Sequence, residues 1–140
     1  MPKVSIIIVS FNVRSYLVSA IDSINKSNYS NYEIIVVDNN SYDNTVDIIS
    51  DKYTNINIIS NNKNVGFGKA VNQGAKVASG DYFLILNPDT IVEEDMINDL
   101  IEYIESNEKI GMVGPKILNS DGSLQLSCKR SFPTIKTALP

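Results

Sequence analysis

Three groups of polar residues stand at the ends of apolar runs, where their side chains could hold a charged ligand. They are Ser10 and Asn12 after Val4–Val9, Asp38 to Asn40 after Ile34–Val37, and Asn87 with Asp89 after Tyr82–Leu86. Asp89 is the sharpest of these. Pro88 has no N–H to give to a strand ladder and biases Asn87 toward extended backbone, so the strand stops there and leaves a carboxylate at its mouth. A hard divalent cation would take that carboxylate together with phosphate oxygens and water, since magnesium sites use only one or two protein carboxylates. Such a cation would neutralise charge on a departing diphosphate. The alternative is that Asp89 caps the next helix through a turn. Asp38 or Asn39 could hydrogen-bond the base or ribose of a nucleotide lying across the strand ends, or could only shape an Asx-rich turn.

A fourth feature is Gly66-Phe67-Gly68-Lys69. The two glycines allow close backbone approach at a helix N-terminus, suited to an anion, but they equally suit a tight turn. Lys69 is either a phosphate contact or a solvated lysine. The familiar phosphate loops are absent. Ser10-Phe11-Asn12-Val13 stands where a dinucleotide fold has Gly-x-Gly-x-x-Gly, and Gly68-Lys69 is followed by Ala70 with Lys63 where a P-loop has its first glycine.

Composition restricts the chemistry further. The 140 residues contain no His, which removes imidazole bases, Ser–His pairs and His metal sites, and Cys128 alone makes neither an internal disulfide nor a Cys-rich zinc site. Cys128 reads as a structural or incidental thiol. Acid–base and metal chemistry therefore falls to Asp and Glu. A net charge of −4, with no dense Lys/Arg cluster, argues against nucleic acid as a partner. Val4–Val9 is far shorter than the ~20 residues of a membrane helix, and Met1–Lys3 is no charged leader. A cytoplasmic location is expected, with a longer parent free to lie at the inner face of a membrane.

The elements that must position these residues follow from periodicity. The continuous β-branched run Val4–Val9 reads as a strand covered on both faces, Ile34–Val37 as a second buried run, and Ile56–Ile59 and Tyr82–Leu86 as a third and a fourth strand. Between them, Leu17, Ala20, Ile21 and Ile24 follow helical spacing with Asn12 as a cap. Val46, Ile49 and Tyr53 suggest a short helix entered from Ser41 or Asp43. Ala70, Gly74 and Ala78 form a small-residue ridge that would let a helix approach the sheet closely. Glu93, Glu94 and Asp95 are expected in the first turn of a helix whose buried face is Met96, Leu100 and Ile104. Met112-Val113, Ile117-Leu118 and Leu124–Ser127 read as short strands, with Asp121-Gly122 as a turn. Strand alternating with helix four times over means an α/β fold, a mostly parallel sheet flanked by helices, with ligands outside the carboxyl ends of its strands.

Jointly, these segments resemble the family 2 glycosyltransferases, inverting enzymes of the GT-A fold. The matching residues are VSIIIVSFN at 4–12, YEIIVVDNNSYDNT at 32–45, NVGFGKAVNQGAKVASGDYFLILNPDT at 64–90 and GMVGPKILNSDGSLQ at 111–125. The combination of Asn64-Val65-Gly66-Phe67-Gly68 with Asn87-Pro88-Asp89 is most similar to the rhamnosyltransferase-type branch, whose members build bacterial surface polysaccharides. The resemblance implies a truncated GT-A sheet and a nucleotide-sugar site. It implies that Ser10, Asp38 and Asn39 surround the nucleotide, while Asn64, Lys69 and Asn72 line its other side. Asn87-Pro88-Asp89 stands where the family usually has Asp-x-Asp, with Asp89 contacting the metal and the diphosphate. A Mg²⁺ or Mn²⁺ cofactor, a UDP- or dTDP-sugar donor and a saccharide or lipid-linked acceptor are implied with it.

Two departures matter. Asn87 replaces the first acid with a neutral amide, which weakens one metal ligand. The family's catalytic base is an Asp downstream, in the acceptor-binding half, and is expected beyond Pro140. Residues 1–140 are thus expected to be the nucleotide-sugar-binding portion. Asp121 is an acid of the right type in the setting of a turn. The rival reading is a non-catalytic module that keeps the fold and binds a protein partner. A sugar-1-phosphate nucleotidyltransferase is disfavoured because no glycine-rich loop follows the first strand.

Overall fold

The computed structural model describes residues 1–126, and the chain divides into two compact units, Met1–Asn98 and Asp99–Pro140. The first unit holds four parallel strands, β1 (Val4–Ser10), β2 (Tyr32–Asp38), β3 (Ile56–Ser60) and β4 (Tyr82–Leu86), in the spatial order β3-β2-β1-β4. Helices α1 (Arg14–Ile24), α2 (Thr45–Lys52) and α3 (Phe67–Val77) connect them, and α4 (Met96–Glu105) follows β4. The parallel α/β architecture is the one the alternation of elements predicts.

Strand order determines where the helices lie. The chain steps from β1 to β2 to β3 in one direction, then returns across both to β4. Because such crossovers are right-handed, α1 and α2 belong on one face and α3 on the other. Contacts at α3 agree. Its Gly74 faces Ile7 and Val37, which share a face of the sheet with Ile35, and with Ala70 these form a buried cluster. On the opposite face Ile6, Ile8, Ile34 and Val36 are equally buried, and α1 presents the buried stripe Leu17, Ala20, Ile21 and Ile24. β1 and β2 are thus covered on both faces, which explains their uninterrupted apolar runs.

Several local expectations are corrected. Asn12 does not cap α1: the N-cap is Val13, with no side-chain cap bond. Asn12 instead takes the left-handed conformation at φ 55, tolerated by Asn because its short amide bonds locally, and its Oδ1 accepts from Tyr42 N at 2.9 Å. Glu93, Glu94 and Asp95 precede α4 rather than opening it. Glu94 and Asp95 hold the α1–β2 loop, with Asn28 N donating to Glu94 O at 2.9 Å and Asn28 Nδ2 to Asp95 Oδ1 at 2.7 Å. Met96, Leu100 and Ile104 are only half-buried, and the fully buried α4 side chain is Ile97. The N-cap of α2 is Asn44, at φ 60 and without a side-chain cap bond, rather than Ser41 or Asp43; Asp43, one residue earlier, accepts from Thr45 N at 3.2 Å and from Thr45 Oγ1.

In the second unit Met112-Val113 forms no strand. Leu118 and Leu124 make a single antiparallel bridge around the expected Asp121-Gly122 turn, where Gly122 has φ 80. Cys128, Ser127 and Phe132–Lys136 lie outside the described residues.

Candidate functional site

The carboxyl ends of the strands carry a hydrogen-bonded polar cluster. Asp38 ends β2 and is 1% exposed. Its Oδ2 accepts from Ser41 N at 2.8 Å and its Oδ1 from Ser41 Oγ at 2.5 Å. Ser41 Oγ in turn accepts from Asn12 N at 2.9 Å. The loops after β1 and β2 are therefore clasped together, and Asp38 is the clasp. Asp43 adds a second tie, its Oδ2 accepting from Arg14 N at 3.0 Å. Burial pushes the Asp43 carboxyl up, but the Thr45 hydroxyl and the Arg14 and Thr45 amides outweigh it and hold the group below its ordinary value.

Asn39 is 2% exposed, and its backbone N donates to Ser10 O at 2.8 Å. Its Oδ1 accepts from Asn61 Nδ2 at 3.0 Å and from Val65 N at 3.4 Å, which ties in the segment after β3. Asn61 and Gln73 form a reciprocal amide pair, with bonds of 2.9 and 2.8 Å. Asn64 Oδ1 accepts from Gly66 N at 2.9 Å, and Gly66 enters α3 at φ 85, a conformation that needs glycine. Gly68 has no such constraint, and a Cβ there would meet nothing within 4 Å.

Some polar side-chain atoms of this cluster have no protein partner. Ser10 Oγ, beside Asp38 in the β1–β2 register, is buried and makes no hydrogen bond. Asn39 Nδ2 also makes none among the described residues. Buried polar groups are ordinarily satisfied, so an orphan at the carboxyl end of a parallel sheet marks a place for a ligand or water.

Asn87 and Asp89 reach the same end of the sheet through β4. The last β1–β4 pair is Ile8 with Leu86, two residues before Ser10 in β1 and three before Asp89 in the chain. Thr90 Oγ1 closes the turn by donating to Asn87 O at 2.7 Å. Asp89 is exposed and its carboxylate accepts no hydrogen bond among the described residues. The turn is thus made by Thr90 and not by Asp89. Helix α4 begins only at Met96, so the capping alternative for Asp89 fails. Lys69 and Asn72 are exposed on α3 and share no hydrogen bond or ion pair with the cluster.

Among the described residues no three His, Cys, Asp or Glu side chains converge as a metal cage. A single free carboxylate fits a cation whose remaining ligands are phosphate and water. Sequence reading missed Ser41, Asn61 and Gln73. Ser60-Asn61-Asn62 repeats after β3 the polar ending that flagged Asp38-Asn39-Asn40 after β2, and that signal could have found Asn61. Nothing local marks Gln73.

A cleft of about 570 Å³ lies elsewhere, lined by Asn25, Tyr32, Glu33, Lys52 and Tyr53 among others, at the amino ends of β2 and β3. Its polar groups satisfy one another: Tyr32 donates to Asn25 at 3.1 Å, and Tyr53 and Lys52 both engage Asp22. Size alone does not make it the site. Ligands of parallel sheets sit at the opposite end, where the unpartnered atoms are.

Residues 5–132 match the family model described as glycosyl transferase family 2. The chain belongs to that family. It is 36% identical over 116 residues to a Haemophilus influenzae protein named as an uncharacterized glycosyltransferase, covering 81% of this chain and 36% of that one. It is 30% identical over 125 residues to the poly-beta-1,6-N-acetyl-D-glucosamine synthase of Staphylococcus epidermidis, covering 86% of this chain and 30% of that one. A crystal structure of S. aureus TarS 1-349 in complex with UDP-GlcNAc superposes with a TM-score of 0.70 at 27% identity, over 76% of this chain and 32% of that one. The chain therefore spans about a third of the length of these proteins.

Proposed function

We propose that residues 1–140 form the donor-binding part of an enzyme that transfers a sugar from a nucleoside-diphosphate sugar to an acceptor hydroxyl with inversion. The observation that carries this reading is the uncommitted carboxylate of Asp89 at the end of β4, beside the β1 end whose Ser10 Oγ has no partner. A UDP- or dTDP-sugar donor is favoured by the likeness to the rhamnosyltransferase-type branch and by TarS, whose complex holds UDP-GlcNAc. Relatedness to a poly-beta-1,6-N-acetyl-D-glucosamine synthase supports a place in bacterial surface polysaccharide synthesis. No helix among the described residues is long and apolar enough to cross a membrane.

In this account the nucleoside lies over Ser10 and Asn39, with Asp38 holding the loops that frame it. Asn64 and Gly66 shape the entry to α3, and Lys69 and Asn72 line the far side of the nucleotide. Asp89, assisted by the Asn87 amide, holds the cation at the diphosphate. A bound Mg²⁺ or Mn²⁺ supplies Lewis acidity that stabilises the leaving group. Deprotonation of the acceptor is assigned to a carboxylate beyond Pro140, because Asp121 belongs to a turn in which its Oδ1 accepts from Ser123 N at 2.9 Å.

Calorimetric titration with a panel of UDP, dTDP, GDP and ADP in the presence of Mn²⁺ tests the reading. Binding of a uridine or thymidine nucleotide in preference to a purine one is expected. No binding by any of the four to the folded chain would overturn it.

A further inference from the structure

We infer that Asn61 and Gln73 are positioning residues that set the polarity of Asn39, so that it offers only donors to an acceptor oxygen of the bound nucleoside. The inference deepens the proposed donor site and rests on that reading. Its logic starts from a group whose polarity is fixed. Val65 N can only donate, and it faces Asn39 Oδ1 at 3.4 Å. The other side-chain atom of Asn39 is then necessarily Nδ2, turned away from Val65. Asn61 meets the same Oδ1 at 3.0 Å and must do so with its own Nδ2. That leaves Asn61 Oδ1 to be satisfied from elsewhere.

Gln73, one helical turn before the end of α3, supplies the match. Its Nε2 donates to Asn61 Oδ1 at 2.8 Å, while its Oε1 takes the second Asn61 Nδ2 hydrogen at 2.9 Å. Both Asn61 Nδ2 hydrogens and one lone pair of its Oδ1 are then engaged. Turning any one of the three amides over would set donor against donor or acceptor against acceptor. Turning all three together is opposed by Val65 N alone, so the chain of bonds holds Asn39 in the orientation that Val65 selects and makes reversal of Asn39 by itself costly. Asn39 is 2% exposed, so it cannot simply rotate into water, and its Nδ2 is the part left without a partner. Neighbouring Asp38 has both oxygens on Ser41, which leaves Asn39 as the free donor at the end of β2.

The test uses Asn61→Asp in the 140-residue chain, with UDP and Mn²⁺ as the probe. A carboxylate at 61 accepts only, so it draws Asn39 Nδ2 inward and turns Oδ1 toward the ligand. UDP affinity should fall by about tenfold or more, the usual scale for an unmatched buried polar contact. In an Asn39→Ala background the same Asn61→Asp change should have no further effect on affinity, because it acts through Asn39. A merely structural role would lower the melting temperature and weaken binding equally in both backgrounds, which would overturn the inference. Unchanged UDP affinity in folded Asn61→Asp, with Asn39→Ala impaired, would overturn it and leave the donor-site reading standing. Failure of the unaltered chain to bind UDP would instead remove the donor-site reading on which the inference rests.

Discussion

Gly74 of α3 lies against Ile7 of β1 with no room for a methyl group between them. A Cβ at position 74 would stand 2.6 Å from Ile7 Cγ2 and 3.4 Å from Val37 Cγ2. Ile7 is fully buried and β-branched, so it has no free rotamer into which to retreat. Alanine at 74 gains about 1 kcal/mol of helix propensity, but overpacking a filled core costs ~1–3 kcal/mol. Gly74→Ala should therefore lower stability by up to about 2 kcal/mol in urea denaturation. An increase in stability would mean that α3 stands further from the sheet.

Because α3, entered at Gly66, carries Lys69, Asn72 and Gln73, its depth on the sheet also sets where these three side chains stand. Most of this geometry was legible in the sequence. The runs at Val4–Val9, Ile34–Val37, Ile56–Ile59 and Tyr82–Leu86 became β1 to β4 within a residue or two, the first two because burial on both faces demands apolar β-branched chains, whereas β3 and β4 leave Asn57, Phe83 and Ile85 exposed. The ridge of Ala70, Gly74 and Ala78 was legible because small residues four apart have few other uses.

What was not legible depended on contacts distant in sequence. Asn12 looks like a cap, yet its amide serves Tyr42, thirty residues on. Glu94 and Asp95 look like first-turn acids, yet they bind Asn28, 66 and 67 positions earlier in the chain. Gln73 looks like an ordinary helical residue, and only the fold brings it to Asn61. Asp38 and Asp89 read alike as strand-end acids, but their hydrogen bonding separates them.

That separation has a measurable consequence. Asp38 is buried and bonded twice to Ser41, whereas Asp89 is exposed and accepts nothing among the described residues. Asp38→Ala should cost about 1–3 kcal/mol of stability, because the Ser41 donors lose their acceptor. Asp89→Ala should change stability by no more than about 0.5 kcal/mol. Thermal melts of the two variants side by side check the contrast, and equal destabilisation would contradict it.

At the opposite end of the sheet, Glu33 staples the strand entries. Its Oε1 accepts from Ser5 Oγ at 2.6 Å, Ser79 N at 2.7 Å and Ser79 Oγ at 2.9 Å, and Lys3 Nζ lies 3.4 Å from Oε2. Burial pushes this carboxyl up, but the hydrogen bonds and Lys3 outweigh it and bring it from 4.5 to about 2. A depressed pKa in the folded state means that the contribution is fully present above pH 4.5 and is lost as pH falls toward 2. The expected loss is on the order of 2 kcal/mol, below the full linkage value because the side chain is partly solvated. In Glu33→Gln this part of the acid dependence should vanish, leaving a flatter stability curve between those two pH values. An identical acid profile in both proteins would show that Glu33 is not held as described.

The central claim concerns Asp89, and it is tested most directly by titrating UDP into the chain and into Asp89→Ala, each with Mn²⁺ and with EDTA. The account predicts that Mn²⁺ strengthens UDP binding to the unaltered chain by about tenfold or more. It predicts that Asp89→Ala removes this gain while its melting temperature stays the same. Equal enhancement by Mn²⁺ in both proteins would contradict the assignment of Asp89 to the metal and the diphosphate.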